Sequence, residues 1–168
     1  MNRIPLKYFY IIGITLFLSG ISTACTDGNT AYYHYEAVKG LDWEKSDTLT
    51  FTIPDSITGQ TYNLEIGIRH NELYPYQDIW MELIHGVSPD KSIQRLHIQL
   101  ADEKGNWNGS GNSGSLYQHI TKEAEISLLP GDSVLRLVHI MRHNPLPGIS
   151  DVGIRLSFPS SINPKKHK

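Results

Sequence analysis

From Thr48 to Phe158 the apolar residues of this chain recur mostly at every second position, and that period limits what it can fold into. Leu49, Phe51 and Ile53 alternate with Thr48, Thr50 and Thr52. Tyr62, Leu64, Ile66 and Ile68 alternate with Asn63, Glu65, Gly67 and Arg69. Leu96, Ile98 and Leu100 alternate with His97 and Gln99, and Val152, Ile154, Leu156 and Phe158 with Gly153, Arg155 and Ser157. A strand sends successive side chains to opposite faces, so each run reads as a strand with one buried and one wet face. One-sided burial favours antiparallel sheet, because parallel strands are apolar on both sides. Asp78 to His85 and Val134 to Arg142 read as two further strands, and Ala124 to Leu128 as a short one. Turn chemistry separates them at Pro54 to Gly59, Gly86 to Asp90, Asp102 to Gly105, Gly109 to Gly114, Pro130 to Asp132 and Asn144 to Gly148. No helical period competes. The expected fold is all-β, a single antiparallel β-sandwich of jelly-roll or Ig-like kind over residues 41–160.

The N-terminus follows other rules. Arg3 and Lys7 form a positive start, Tyr8 to Leu18 an apolar stretch too short to span a bilayer, and Ser22-Thr23-Ala24 a small-residue site. The sole cysteine, Cys25, follows at once. A cysteine where cleavage falls reads as a lipoprotein signal: residues 1–24 are removed and Cys25 becomes the acylated, palmitate-bearing N-terminus. The usual large aliphatic residue three positions before the cysteine is here Ser22. A lone cysteine has no disulfide partner, and lipidation accounts for it. Residues 25–40 read as lipidated cysteine and tether, and 161–168 as a basic tail. The chain is expected in the cell envelope, lipid-anchored and facing the periplasm.

The mature part carries 13 basic and 17 acidic residues, a net charge of −4. It has no basic stripe, so nucleic acid is not an expected partner. His139 and His143 share a strand face but stand roughly 13 Å apart at about 3.3 Å per residue, too far for one metal. There is no HExxH, CxxC, GxSxG or phosphate-loop lysine. Neither enzymatic activity, cofactor nor metal is expected.

Three strings are unusual for a plain sandwich. One holds Arg69, Tyr74-Pro75-Tyr76 and Trp80; the second is Leu100-Ala101-Asp102-Glu103-Lys104-Gly105-Asn106-Trp107-Asn108-Gly109-Ser110-Gly111; the third runs from Met141 through Pro145-Leu146-Pro147-Gly148 to Asp151-Val152-Gly153-Ile154-Arg155. Together with Trp43, these resemble the gliding motility lipoprotein family GldH over essentially the whole mature chain. The resemblance implies an envelope lipoprotein required for gliding and associated with type IX protein secretion, without known enzymatic chemistry. It supplies no catalytic residue.

Function is therefore expected in contacts, with the membrane through Cys25 and with other envelope proteins. The candidate binding surface is Arg69, Tyr74, Tyr76, Trp80, Trp107 and Arg142. Arginine pairs with carboxylates in bidentate geometry, and Arg155 belongs to the same argument. Arg142 instead has the option of holding the Pro-Leu-Pro-Gly carbonyls. The alternative function is a glycan-binding envelope lipoprotein for polysaccharide uptake, which requires Tyr74, Trp80 and Trp107 exposed and coplanar.

Overall fold

The alternating runs form strands whose even- or odd-numbered residues meet in one core. A computed structural model describes residues 28–86, 91–112 and 116–159. Its strands are β1 (Thr30–Ala37), β2 (Asp42–Trp43), β3 (Leu49–Thr52), β4 (Thr61–His70), β5 (Asp78–His85), β6 (Ser92–Gln99), β7 (Ser110–Asn112), β8 (Leu116–Ser127), β9 (Val134–His139), β10 (Leu146–Pro147) and β11 (Ile149–Ser157). Every ladder is antiparallel. One sheet has the order β1-β11-β4-β8-β7 and the other β3-β9-β5-β6, with β2 and β10 paired as a short ribbon. The fold is all-β, as the period required. No helix among the described residues is long and apolar enough to cross a membrane.

The core is built from both sheets. Tyr62, Leu64, Ile66 and Ile68 of β4 and Val152, Ile154 and Leu156 of β11 meet Ile79, Met81 and Leu83 of β5, Leu96 and Ile98 of β6, Leu135 and Leu137 of β9, and Phe51 of β3. Burying a large aliphatic or aromatic side chain contributes about 1.5–3 kcal/mol, so this cluster fixes which face of each strand turns inward. A one-residue slip would expose the whole set. Trp43, fully buried, donates its indole N–H to Asp47 O at 2.8 Å and packs against the His139 ring at 5.2 Å.

Four boundaries differ from the sequence expectation. The stretch read as tether, 25–40, contains β1: its aromatic residues lie along the sheet edge with a burial that does not alternate cleanly, so period two is muted there. The short strand expected at Ala124 to Leu128 is the end of the twelve-residue β8. Leu64 pairs Ala124 while Glu65 pairs Lys122, so an extra residue interrupts β8 and shifts the phase of its alternation. β9 ends at His139 rather than Arg142. The glycine-rich connection begins with β7, a three-residue edge strand on β8. Cys25, the leader and the tail 161–168 lie outside the described residues.

Candidate functional site

The sequence-selected residues occupy three separate places. Arg69 lies on the outer face of the five-stranded sheet. Here the register aligns Tyr35 of β1 with Gly153 of β11, Gly153 with Gly67 of β4, and Gly67 with Ile120 of β8. The two glycines leave a trough, and the Tyr35 ring lies in it. A Cβ added to Gly153 would sit 2.7 Å from Tyr35 Cζ and 2.8 Å from both Cδ atoms. The Arg69 guanidinium carbon stands 4.0 Å from the Tyr35 ring centroid, and its Nε donates to Gln118 Oε1 at 3.2 Å. Burial, the Tyr33 hydroxyl and the Asp151 charge push the Tyr35 phenol up, partly offset by Arg69. It stays protonated at every physiological pH.

The flanking rows are polar and cross-paired. Arg155 faces Glu65 in register, with Nη1 to Oε2 at 3.4 Å, and its Nε donates to Thr30 Oγ1 at 3.0 Å. Asp151 is opposite Arg69 on β4 and accepts a short hydrogen bond from Ser150 Oγ. Tyr33 and Ile120 remain about half exposed on this face. The result is a pre-organised surface with an aromatic centre and charges of both signs. Sequence reading singled out Arg69 and Arg155 but missed Tyr35, Gly67, Glu65 and Asp151 as their neighbours; the alternating outer-face positions of β4 and β11 were the available signal.

Tyr74, Tyr76 and Trp107 sit elsewhere, at one end of the sandwich around two histidines. The His70 ring meets Trp107 at 4.4 Å, Tyr117 at 5.5 Å, Tyr74 at 5.6 Å and His119 at 5.1 Å. His70 Nδ1–H donates to Asn71 O at 3.0 Å, which leaves its Nε2 as an acceptor for His119 Nε2–H at 3.1 Å. Burial lowers both pKa values; His119, with His70 beside it, is pushed down to about 4. Both rings are therefore neutral at pH 7. Tyr74 is buried and donates its hydroxyl to Asp78 O at 2.7 Å, and Tyr76 is half-buried against His143.

The unusual strings build the covers of this end. Asp102 Oδ1 accepts from Lys104 N at 2.9 Å and Asn106 N at 2.8 Å, closing the turn that delivers Trp107. A Cβ on Gly109 would stand 2.6 Å from Gln118 O and 2.8 Å from His119 Nε2, so only glycine lets the loop lie on the histidine pair. Asn144 accepts from Lys45 N at 2.7 Å and donates to Glu44 Oε2 at 2.8 Å, tying the Pro-Leu-Pro-Gly loop down. Arg142 does not do that tying: it is exposed and has no hydrogen bond or ion pair among the described residues.

Trp80 occupies the outer face of the other sheet, 40% exposed, stacked on His97 at 4.1 Å and 10°. Asp78 Oδ2 accepts from Trp80 Nε1 at 3.3 Å and lies 2.7 Å from His97 Nε2. Trp80, half-buried Trp107 and buried Tyr74 thus form no common platform.

A curated relative from Flavobacterium johnsoniae, "Gliding motility lipoprotein GldH", is 26% identical over 148 residues, covering 84% of this chain and 92% of its own. Among solved structures, a chain of the tripod from the baseplate of bacteriophage Tuc2009 overlays with a TM-score of 0.37 at 14% identity, covering 89% of this chain and 98% of that one. The family model described as GldH lipoprotein matches residues 30–156, from the first residue of β1 to the penultimate residue of β11. By that match, across both sheets, the chain belongs to the GldH lipoprotein family.

Proposed function

We propose that this protein is a lipid-anchored, non-enzymatic component or accessory of gliding-motility and type IX secretion machinery, held in the envelope by Cys25 and facing the periplasm. The observation that carries the reading is the match of residues 30–156 to a lipoprotein family, behind a leader that ends at a single cysteine. The printed name of the Flavobacterium johnsoniae relative supports the motility assignment. Action by contact suits the outer face of the five-stranded sheet, where Tyr35, Arg69, Asp151, Glu65 and Arg155 are fixed in register before any partner arrives. Two or three acyl chains, at about 0.8 kcal/mol per buried methylene, hold such a domain firmly at a membrane.

Two experiments test this. Cys25→Ser is expected to abolish lipid labelling and release the domain from membranes; a variant that stays fully membrane-bound would refute the anchor. Affinity isolation from detergent-solubilised envelopes is expected to recover envelope proteins with the wild type and fewer with Arg69→Ala. Polysaccharide binding with no protein partner would overturn the assembly reading.

A further inference from the structure

One side of the sandwich carries two open strand edges. β6 ends the four-stranded sheet, and among the described residues no strand pairs with its far side. β8 is covered by β7 only at Leu116 to Gln118, so from His119 to Ser127 its far side is also unpaired among those residues. The two edges approach one another on the side where the chain crosses from β6 to β7. A groove of about 500 Å³ opens between them, lined by His85, Ser92, Ile93, Glu125, Ile126 and Leu129. Ile93 is 60% exposed and Leu129 52%.

Which backbone groups point outward follows from β5. Trp80 N–H is directed to Met141 Sδ at 3.2 Å and Trp80 O accepts from Ile140 N at 2.9 Å, both away from β6. Trp80 and its partner His97 are therefore a non-hydrogen-bonded pair. Alternation along the ladder then directs the N–H and C=O of Ile93, Arg95, His97 and Gln99 to the open edge. Proteins usually blunt such an edge with proline, a bulge, an inward charge or a very short strand. β6 is eight residues long, pairs β5 without a register shift, and has no proline; its inward residues are Gln94, Leu96 and Ile98.

We infer that β6 is a strand-addition site: an extended segment of a different polypeptide pairs antiparallel or parallel with Ile93 to Gln99 and sends alternate apolar side chains into the groove toward β8. An unpaired row of alternating donors and acceptors is matched by another extended backbone. The outward side chains add a preference. β5 sets Glu82 directly against Arg95 and reaches His97 diagonally with Asp78, so an added strand continues the alternation of sign with carboxylates opposite those two bases. A second copy of β6 does not provide them. In its two longest two-fold registers, Arg95 would face Arg95 or His97 of the other copy. The inference rests on the reading that the protein acts by contact, but not on which machinery it serves.

The test is single-residue hydrogen exchange on the full chain, first purified in detergent and then in isolated native envelopes. In detergent, the amides of Arg95, His97 and Gln99 should exchange fast while those of Gln94, Leu96 and Ile98 are protected. In envelopes, the outward three should slow by at least about tenfold. Arg95→Pro removes one outward N–H without touching the β5 ladder and should abolish that slowing at His97 and Gln99, whereas Arg95→Ala should retain it. Unchanged fast exchange in envelopes overturns the inference, as does protection already present in the detergent-purified monomer. Cross-links joining residues 95 and 97 of two copies overturn it in favour of self-association. The exchange comparison on the unaltered chain stands even if the proline variant fails to fold, and none of these results alters the Cys25→Ser test.

Discussion

The Tyr35 ring over Gly67 and Gly153 makes a sharp energetic prediction, because the same substitution should change sign with its background. In the wild type, Gly153→Ala places a methyl 2.7–2.8 Å from three ring atoms of Tyr35. The ring must lift out of the trough, and overpacking of this kind costs about 1–3 kcal/mol. Lifting also gives up the Arg69 contact at 4.0 Å, worth about 0.5–1 kcal/mol at a half-exposed site. Tyr35→Ala alone forfeits that contact and the ring's own burial, about 1–2 kcal/mol. Once the ring is gone, alanine at 153 has space, and replacing a mid-strand glycine then gains about 0.5–1 kcal/mol. The double variant should therefore be more stable than the sum of the single costs by about 2–5 kcal/mol. Urea unfolding followed by tryptophan fluorescence, to which buried Trp43 contributes, measures all four corners of the cycle. Heating should show the same coupling at about 2–4 °C per kcal/mol. Coupling below about 0.5 kcal/mol, the limit for independent sites, would refute the packing argument.

The buried histidines predict a pH dependence. Folded-state pKa values below the unfolded value mean that neutral His70 and His119 favour the fold above about pH 6.5, and that stability falls as pH drops from there toward about 4, the depressed value of His119. His119→Gln should flatten that decline in urea midpoints measured from pH 7.5 to 4.5; an unchanged slope would contradict the assignment. His70 and His139, both lowered by burial, contribute to the slope that remains. Gly109→Ala should destabilise by about 1–3 kcal/mol and alter Trp107 fluorescence, since its Cβ meets the Gln118 carbonyl and the His119 ring. Gly148→Ala should cost at least as much, because φ is +80° and a Cβ would lie 2.6 Å from Tyr74 N; a near-neutral Tm would be inconsistent with that turn. Trp80→Ala should change stability by under about 1 kcal/mol, since the ring lies on the solvent face, and sugars should leave the wild-type emission unchanged if no platform exists.

Strands with one wet face were legible wherever alternation ran undisturbed, as in β3, β4, β6 and β11. Legibility failed where the period was broken for a physical reason. β8 loses phase at the extra residue near Glu123, and polar His119 and Thr121 stand where aliphatics would have continued the pattern. β1 is an edge strand of Tyr32, Tyr33, His34 and Tyr35, whose aromatics half-cover both faces. What sequence periodicity cannot carry is which strands become neighbours. Residues 35, 67 and 153 stand in one row only because β1, β11 and β4 are adjacent in space.

That adjacency also changes what the unusual strings mean. Asp102, Gly109, Asn144 and Gly148, which turn chemistry had already marked within those strings, each close a turn or admit a close backbone approach. Their chemistry is spent inside the molecule. Trp107 and Tyr74, the residues that looked most like ligand contacts, roof and wall the histidine pair. Arg69 is different: it stands on an outer face, where its guanidinium holds a ring that in turn covers two glycines. A flat face fixed by such contacts and an unpaired edge at β6 are both surfaces that another polypeptide can read through shape and backbone. Neither needs a conspicuous side chain, so neither announces itself in the sequence as an aromatic or a histidine does.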